Sequence, residues 1–279
     1  MKSSAQLKAL IRNLAKEKKV HAQILMRNYM LERLLERISL SKYKYNFILK
    51  GGMLVAAMVG LDARATMDMD TTIKGYPLSD EAVKNAFEDI ISVPIEDGTE
   101  IKIKSVESIH DEADYGGLRV SLEAFFDGIR TPLKIDITTG DKITPEEVSY
   151  RFNLMFEDRQ IDILAYNLET VLAEKIETAV ARGITNTRMR DFYDIYILLL
   201  MHSNSINKEL LSQAVLATAK SRGTDHLIMD GQAVLNEVAA DKTLQRLWSS
   251  YQNKYSYAED ISWDEIARAA NELWGYIKI

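Results

Sequence analysis

Lys50-Gly51-Gly52-Met53-Leu54 and, after a spacer, Arg64-Ala65-Thr66-Met67-Asp68-Met69-Asp70 form the stretch that decides how this chain folds. Tyr45 to Lys50 reads as a short strand ending at the glycine pair, Met53 to Val59 is apolar and suits a helix, and Met67 to Ile73 fits a second strand. Side chains two apart on a strand leave the same face, so Asp68 and Asp70 aim two carboxylates at one point. Two such groups repel unless a cation sits between them. Ligands that are all oxygen select a hard ion such as Mg²⁺, which keeps waters and takes further oxygens from substrate phosphates. Glycines after the first strand let backbone N–H groups approach a phosphate, and the positive end of the following helix favours the same ligand. An Asp-x-Asp pair or a glycine pair alone is commonplace; their order along the chain makes a candidate site.

Downstream, Ser79 is placed to cap a helix over about 80–92, with Asp80 and Glu81 favourable to its dipole. Three β-rich stretches follow at about 100–108, 117–126 and 132–138. Leu118-Arg-Val-Ser-Leu-Glu-Ala-Phe and Leu133-Lys134-Ile135-Asp136-Ile137 alternate with period two, which puts Lys134 and Asp136 together on a polar face. If that strand lies beside the one bearing Asp68 and Asp70, three carboxylates surround a two-metal centre. Two Mg²⁺ ions about 3.5–4 Å apart activate an attacking hydroxyl and stabilise a leaving pyrophosphate. Arg151 to Phe156 and Ile161 to Ala165 add short strands. Upstream, Leu7, Leu10, Ile11 and Leu14, then Ile24, Leu25, Tyr29, Leu31, Leu35 and Ile38, recur at the spacing of two helices. From about Glu169 the pattern is helical nearly to the end, with breaks near Gly183 to Thr187, Ser203 to Asn207, Gly223 to Asp225 and Glu259 to Ser262. The expected fold is α+β: a mixed or antiparallel sheet flanked by helices over residues 1–165, then an all-α helical bundle over 166–279.

Composition narrows the chemistry. The 279 residues are 47% hydrophobic and 27% charged, which suits a chain with a real core, and the absence of cysteine excludes disulfides, thiolate zinc sites and cysteine nucleophiles. No apolar run reaches the roughly 18 residues of a membrane helix, and Met1 to Lys19 is polar rather than signal-like, so a cytoplasmic protein without a membrane partner is expected. Residues 1–50 hold 12 Lys and Arg against 3 Asp and Glu, whereas the rest holds 23 against 38. A basic segment on an acidic body is a candidate surface for a phosphate-bearing partner, although solvated basic helix faces are common. His21, His110, His202 and His226 have no metal-ligand spacing, and neither a P-loop nor a nucleophile elbow is present. Trp248, Tyr251 and Tyr255 form a helical aromatic stripe that reads as core. Within the helical half, Lys175 shares a face with Leu172, Ala179 and Arg182, and Asp191 and Asp194 lead into the apolar face of the next helix.

A glycine pair, an Asp-x-Asp strand and a later Lys-x-Asp strand resemble the DNA polymerase β-type nucleotidyltransferase superfamily. More narrowly, Lys50-Gly51-Gly52, Arg64-x-Thr66-x-Asp68-x-Asp70, Lys134-x-Asp136, Ala173-Glu174-Lys175 and Arg188-x-Arg190-Asp191-x-x-Asp194 resemble the successive motifs of the AbiEii-type abortive-infection toxins, over about residues 47–200. Two features depart from the superfamily pattern: Met53 stands where many members have a serine, and 15 residues separate Gly52 from Asp68. The resemblance implies a Mg²⁺-dependent transfer of NMP from an NTP to an acceptor hydroxyl, with Mn²⁺ as a possible substitute. It makes Asp68, Asp70 and Asp136 the metal ligands, and gives Lys50, Gly51, Gly52, Arg64, Thr66, Lys134, Lys175 and Arg190 to the nucleotide. Lys175, Asp191 and Asp194 would take part in the transfer. It further implies a toxin of a toxin–antitoxin phage-defence system, with RNA, the 3′ end of tRNA in particular, as acceptor and a separately encoded antitoxin that need not touch it. A small-molecule or protein hydroxyl as acceptor, or a non-catalytic binding module of the same fold, are the competing readings; the presence of all three acids weighs against the last.

Overall fold

The computed structural model describes residues 3–109 and 116–279, so His110 lies outside the described residues. The chain divides into two compact units, Met1–Gly140 with Glu147–Ala165, and Asp141–Glu146 with Tyr166–Ile279.

The first unit carries a seven-stranded mixed sheet. In chain order its elements are α1 (Ser4–Lys18), α2 (Ala22–Leu40), β1 (Phe47–Lys50), α3 (Gly51–Val59), β2 (Met69–Ile73), α4 (Asp80–Ile91), β3 (Thr99–Ile109), β4 (Gly117–Phe126), β5 (Ile129–Thr139), β6 (Val148–Asn153) and β7 (Gln160–Ala165). The strands lie in the order β3-β4-β5-β2-β1-β7-β6, parallel at β5-β2 and β1-β7 and antiparallel elsewhere. The period-two pattern sets the faces: Leu118, Val120, Leu122 and Ala124 on β4 and Leu133, Ile135 and Ile137 on β5 are buried, while Arg119, Lys134 and Asp136 point the other way. Burying each large aliphatic side chain contributes about 1.5–3 kcal/mol. Ser79 caps α4 as expected, its hydroxyl accepting from the Ala82 N–H.

The strand carrying the paired acids begins at Met69, not Met67, so Asp68 sits in the bend before it. Met67, 38% exposed, packs too little to extend the strand. Gly51 and Gly52 are the first residues of α3, so the glycine pair opens the helix that the apolar run from Met53 continues.

Helix α2 is buried from Asn28 to Ile38 and packs on β5 and β7. Much of its charge is paired with groups from far along the chain. The Arg37 guanidinium donates to both carboxylate oxygens of Asp97, at 2.7 and 3.0 Å, and to the Thr99 carbonyl. Arg33 pairs with Glu157, and Arg159 returns to Glu36. Glu32 accepts the Met155 N–H at 2.9 Å, and burial pushes its carboxyl up to about 8. The positive balance of residues 1–50 is thus partly consumed inside the fold, which corrects the reading of that whole segment as a free basic surface. Lys18 approaches Asp62 and Lys42 pairs with Asp89.

From Leu168 the described residues form helices without strands: α5 (Leu168–Arg182), α6 (Met189–His202), α7 (Lys208–Arg222), the short α8 (Asp225–Ile228), α9 (Gly231–Ala240), α10 (Lys242–Lys254) and α11 (Trp263–Trp274). Asn167 caps α5 and Asp241 caps α10, each through its side-chain oxygen. Trp248 and Tyr251 are buried, as the aromatic stripe predicts, and Trp248 packs against Trp263. Among the described residues no helix is long and apolar enough to cross a membrane.

Candidate active site

Strand register assembles a row of charges in the first unit. Lys50 on β1 is paired with Asp70 on β2, Asp70 with Asp136 on β5, and Asp136 with Arg119 on β4. Residues paired across a sheet project from the same face, so Lys50, Asp70, Asp136 and Arg119 stand side by side in the sequence plus, minus, minus, plus. Lys134 lies on that face one pleat away, exposed and in register with Ser121.

The glycine pair exists to admit this row. Gly51 has φ +64°, and a Cβ there would lie 2.1 Å from Asp70 Oδ2. A Cβ on Gly52 would lie 2.8 Å from Thr66 Oγ1 and 3.2 Å from an Arg64 amine. Only glycine fits either place. The Gly52 N–H, at the start of α3, donates to Asp70 Oδ2 at 3.3 Å, so the helix terminus already holds one anion.

Arg64 and Thr66, expected to meet the nucleotide, are instead buried beneath the turn, at 1% and 4% exposure. The Arg64 guanidinium donates to the Ala65 carbonyl, the Thr66 hydroxyl to the Asp68 carbonyl at 3.3 Å, and Asn28 of α2 donates to the Thr66 carbonyl at 2.7 Å. They brace the backbone that delivers Asp68 and Asp70. Met53, where the superfamily pattern offers a serine, is buried as well.

Burial first, and then the charge of Asp136, hold the Asp70 carboxyl above the usual carboxylate range; the Gly52 N–H and Lys50 offset this only in part, and Asp68 adds to it. A half-buried acid facing a second acid has the chemistry of a cation ligand. Among the described residues no three acids or histidines already stand together as a metal cage. The donor set fits an ion that takes one or two carboxylates and completes its shell from phosphate and water, as Mg²⁺ does. The third acid is engaged: Arg119 Nε and Nη2 donate to the two oxygens of Asp136, both at 2.7 Å. Sequence reading missed Arg119. Its signal was present in the alternation of Leu118-Arg119-Val120-Ser121, which puts Arg119 on the polar face, but the strand it would neighbour was not assigned.

In the second unit, Lys175 of α5 meets both acids of α6, at 2.9 Å to Asp191 and 2.7 Å to Asp194. The Asp194 side chain is 0% exposed and Lys175 only 12%. Burial acts to lower the Lys175 pKa, but the two carboxylates outweigh it and hold the ammonium above the usual lysine range. Arg190 donates to the Tyr255 hydroxyl at 3.1 Å. Glu174 turns to the other side of α5 and pairs with Arg222, which also pairs with Glu177.

A protein-family model for the nucleotidyl transferase AbiEii toxins of type IV toxin–antitoxin systems matches residues 33–269. Among solved structures, JHP933 from Helicobacter pylori superposes with a TM-score of 0.50 over 91% of this chain and 90% of its own, at 16% identity, and so shares the fold. A second H. pylori structure, of a proposed nucleotidyltransferase, gives 0.48 over 93% of this chain and 100% of its own, also at 16% identity. No curated protein matches the sequence.

Proposed function

This chain belongs to the AbiEii family of nucleotidyl transferase toxins of type IV toxin–antitoxin systems, and from that premise we propose that it transfers a nucleoside monophosphate from an NTP to a hydroxyl of RNA, the 3′ end of tRNA first among candidates. The observation that carries the reading is the fit of Gly51 against Asp70, whose carboxylate accepts the Gly52 N–H, with Asp136 in register beside it. That packing places a pair of half-buried acids next to a helix N-terminus, where phosphate and a divalent cation are both favoured.

In the reaction the acceptor oxygen bonds to the α-phosphorus, the bond from that phosphorus to the bridging oxygen breaks, and pyrophosphate leaves with the bonding pair. The hydroxyl proton passes to a carboxylate of the cluster. Asp68 and Asp70, with Asp136 as third ligand, would hold Mg²⁺, which supplies charge neutralisation at the phosphates and activation of the attacking oxygen. Lys50, Lys134 and the Gly51 and Gly52 amides bind phosphate, and Lys175 with Asp191 and Asp194 serves the transfer as the family motif implies. The antitoxin is a separate protein, and phage defence is the setting in which such a toxin acts. Incubating the purified chain with total tRNA and each α-labelled NTP, with Mg²⁺ or with EDTA, tests this. One NTP should label RNA in Mg²⁺ and none in EDTA. No labelled RNA with any NTP would overturn the RNA reading, and label on a small molecule or protein would redirect the acceptor.

The acceptor surface is proposed on α1. Lys8, Arg12 and Lys16 recur every four residues along its exposed side, and exposed Lys19 follows at its C-cap, a basic stretch suited to a phosphate backbone. Reversing Arg12, Lys16 and Lys19 to Glu should weaken RNA binding and flatten its salt dependence by about two units of slope, at about 0.7 per lost phosphate contact, with NTP binding unchanged. Filter binding across a salt series reads this; an unaltered slope would return α1 to a solvated face.

A further inference from the structure

The charge row holds a cation that the nucleotidyl transfer reading does not use. Arg119 engages both oxygens of Asp136 at 2.7 Å, in a planar two-point pair, the strongest geometry available to a guanidinium and a carboxylate. It reaches Asp136 from the neighbouring strand in register, and Glu107 of β3 stands in register on the other side of Arg119. The arginine is therefore placed between two acids, one of them a proposed metal ligand. Its side chain is 39% exposed, so it is not fixed there by packing alone.

Resting on the metal-dependent reading above, we propose that Arg119 is a positioning residue that acts as the resident counter-ion of Asp136 and makes cation binding at this site depend on nucleotide. While Arg119 neutralises Asp136, a divalent ion gains the full charge of only Asp68 and Asp70, and it meets an added positive charge across the row. An NTP brings negative charge of its own, which both supplies oxygens to the ion and gives the guanidinium a substitute partner. Asp136 then passes from arginine to metal. The site is held weakly charged when empty and is completed by its substrate.

The test is Mn²⁺ binding, followed by electron paramagnetic resonance without and with a non-hydrolysable NTP analogue, in the parent, Arg119→Gln and Arg119→Lys. The parent should bind Mn²⁺ weakly until analogue is added. Removing one positive charge within a few ångströms of a divalent ion should tighten analogue-free binding in R119Q by about tenfold, while R119K, which keeps the charge, stays near the parent. In turnover, R119Q should raise KM for NTP more than it lowers kcat. A role confined to sheet stability would show in thermal melting and leave the order of Mn²⁺ affinities unmoved. Unchanged or weaker analogue-free Mn²⁺ binding in R119Q, with parent binding intact, would overturn the counter-ion proposal alone. No Mn²⁺ binding by the parent even with analogue would overturn the metal-dependent reading beneath it.

Discussion

Replacing Asp70 by Asn should reduce nucleotidyl transfer by at least about 10³-fold while leaving the metal-free protein no less stable than the parent. Both halves follow from one geometry. Asp70 is half-buried, faces Asp136 in register, and has its carboxyl raised above the usual range by desolvation and by that second charge. Ionisation of Asp70 is therefore less favourable in the folded chain than in the unfolded one. A raised carboxyl binds its proton more tightly when folded, so it favours the fold at low pH, and this contribution is lost as the pH climbs from its ordinary value of 3.8 through the folded one. Above that window the parent carries an uncompensated charge that Asn does not. Asparagine keeps the shape and can still accept the Gly52 N–H, so the packing against Gly51 survives. Thermal melting in EDTA should place D70N level with or above the parent at pH 7, and Mg²⁺ added with a non-hydrolysable NTP analogue should raise the melting temperature of the parent only. Transfer by D70N within tenfold of the parent would remove Asp70 from the site.

How far the chain could be read depended on whether the deciding contact was local. The alternation of β4 and β5 is written in consecutive residues, so Val120 and Ile135 are inward by inspection and Asp136 outward. The Ser79 cap and the Trp248 core position were equally plain. What consecutive residues do not contain is strand order. That β5 lies beside β2, putting Asp136 against Asp70, came from the motif pattern, and that β4 brings Arg119 to Asp136 came from nothing. The same limit governed charge. Counting residues 1–50 as a free basic block ignored that Arg37 closes on Asp97, 60 positions away, and Arg33 on Glu157, 124 away. Asp241, whose carboxylate caps α10 by accepting from Thr243 and Leu244 at 2.8 Å, divides what had read as continuous helix. An aspartate inside a long helical pattern is ambiguous until its partner N–H groups are seen. Arg64 and Thr66 were recognised as belonging to the site, but their role as the support under the turn depends on depth, which spacing does not reveal.

Lys175→Met should destabilise the protein by about 3–5 kcal/mol, and adding Asp194→Leu should restore most of that loss without restoring transfer. The Asp194 side chain is 0% exposed and lies 2.7 Å from the Lys175 ammonium, with Asp191 at 2.9 Å. Taking away the lysine leaves a buried anion beside a second one, the costliest way to break such a cluster. Taking away the buried carboxylate as well, and filling its place with an apolar group, removes the charge that has lost its lysine. Buried ion pairs replaced in this way are often neutral or better for stability, which is why the double variant separates two roles. Were the cluster only a strut between α5 and α6, recovery of the fold in K175M/D194L would carry activity back with it. On the proposed role of the lysine in the reaction, the double variant is expected to melt near the parent and still lack transfer. An alkaline limb checks the electrostatics independently. The folded Lys175 holds its proton above its ordinary value of 10.5 because two carboxylates outweigh burial, so its contribution is complete below that value and fades as the pH rises through the higher folded one. The parent should lose stability above about pH 10.5 more steeply than K175M/D194L. Equal alkaline slopes would show that Lys175 is not held by these acids, and a double variant as active as the parent would confine the cluster to structure.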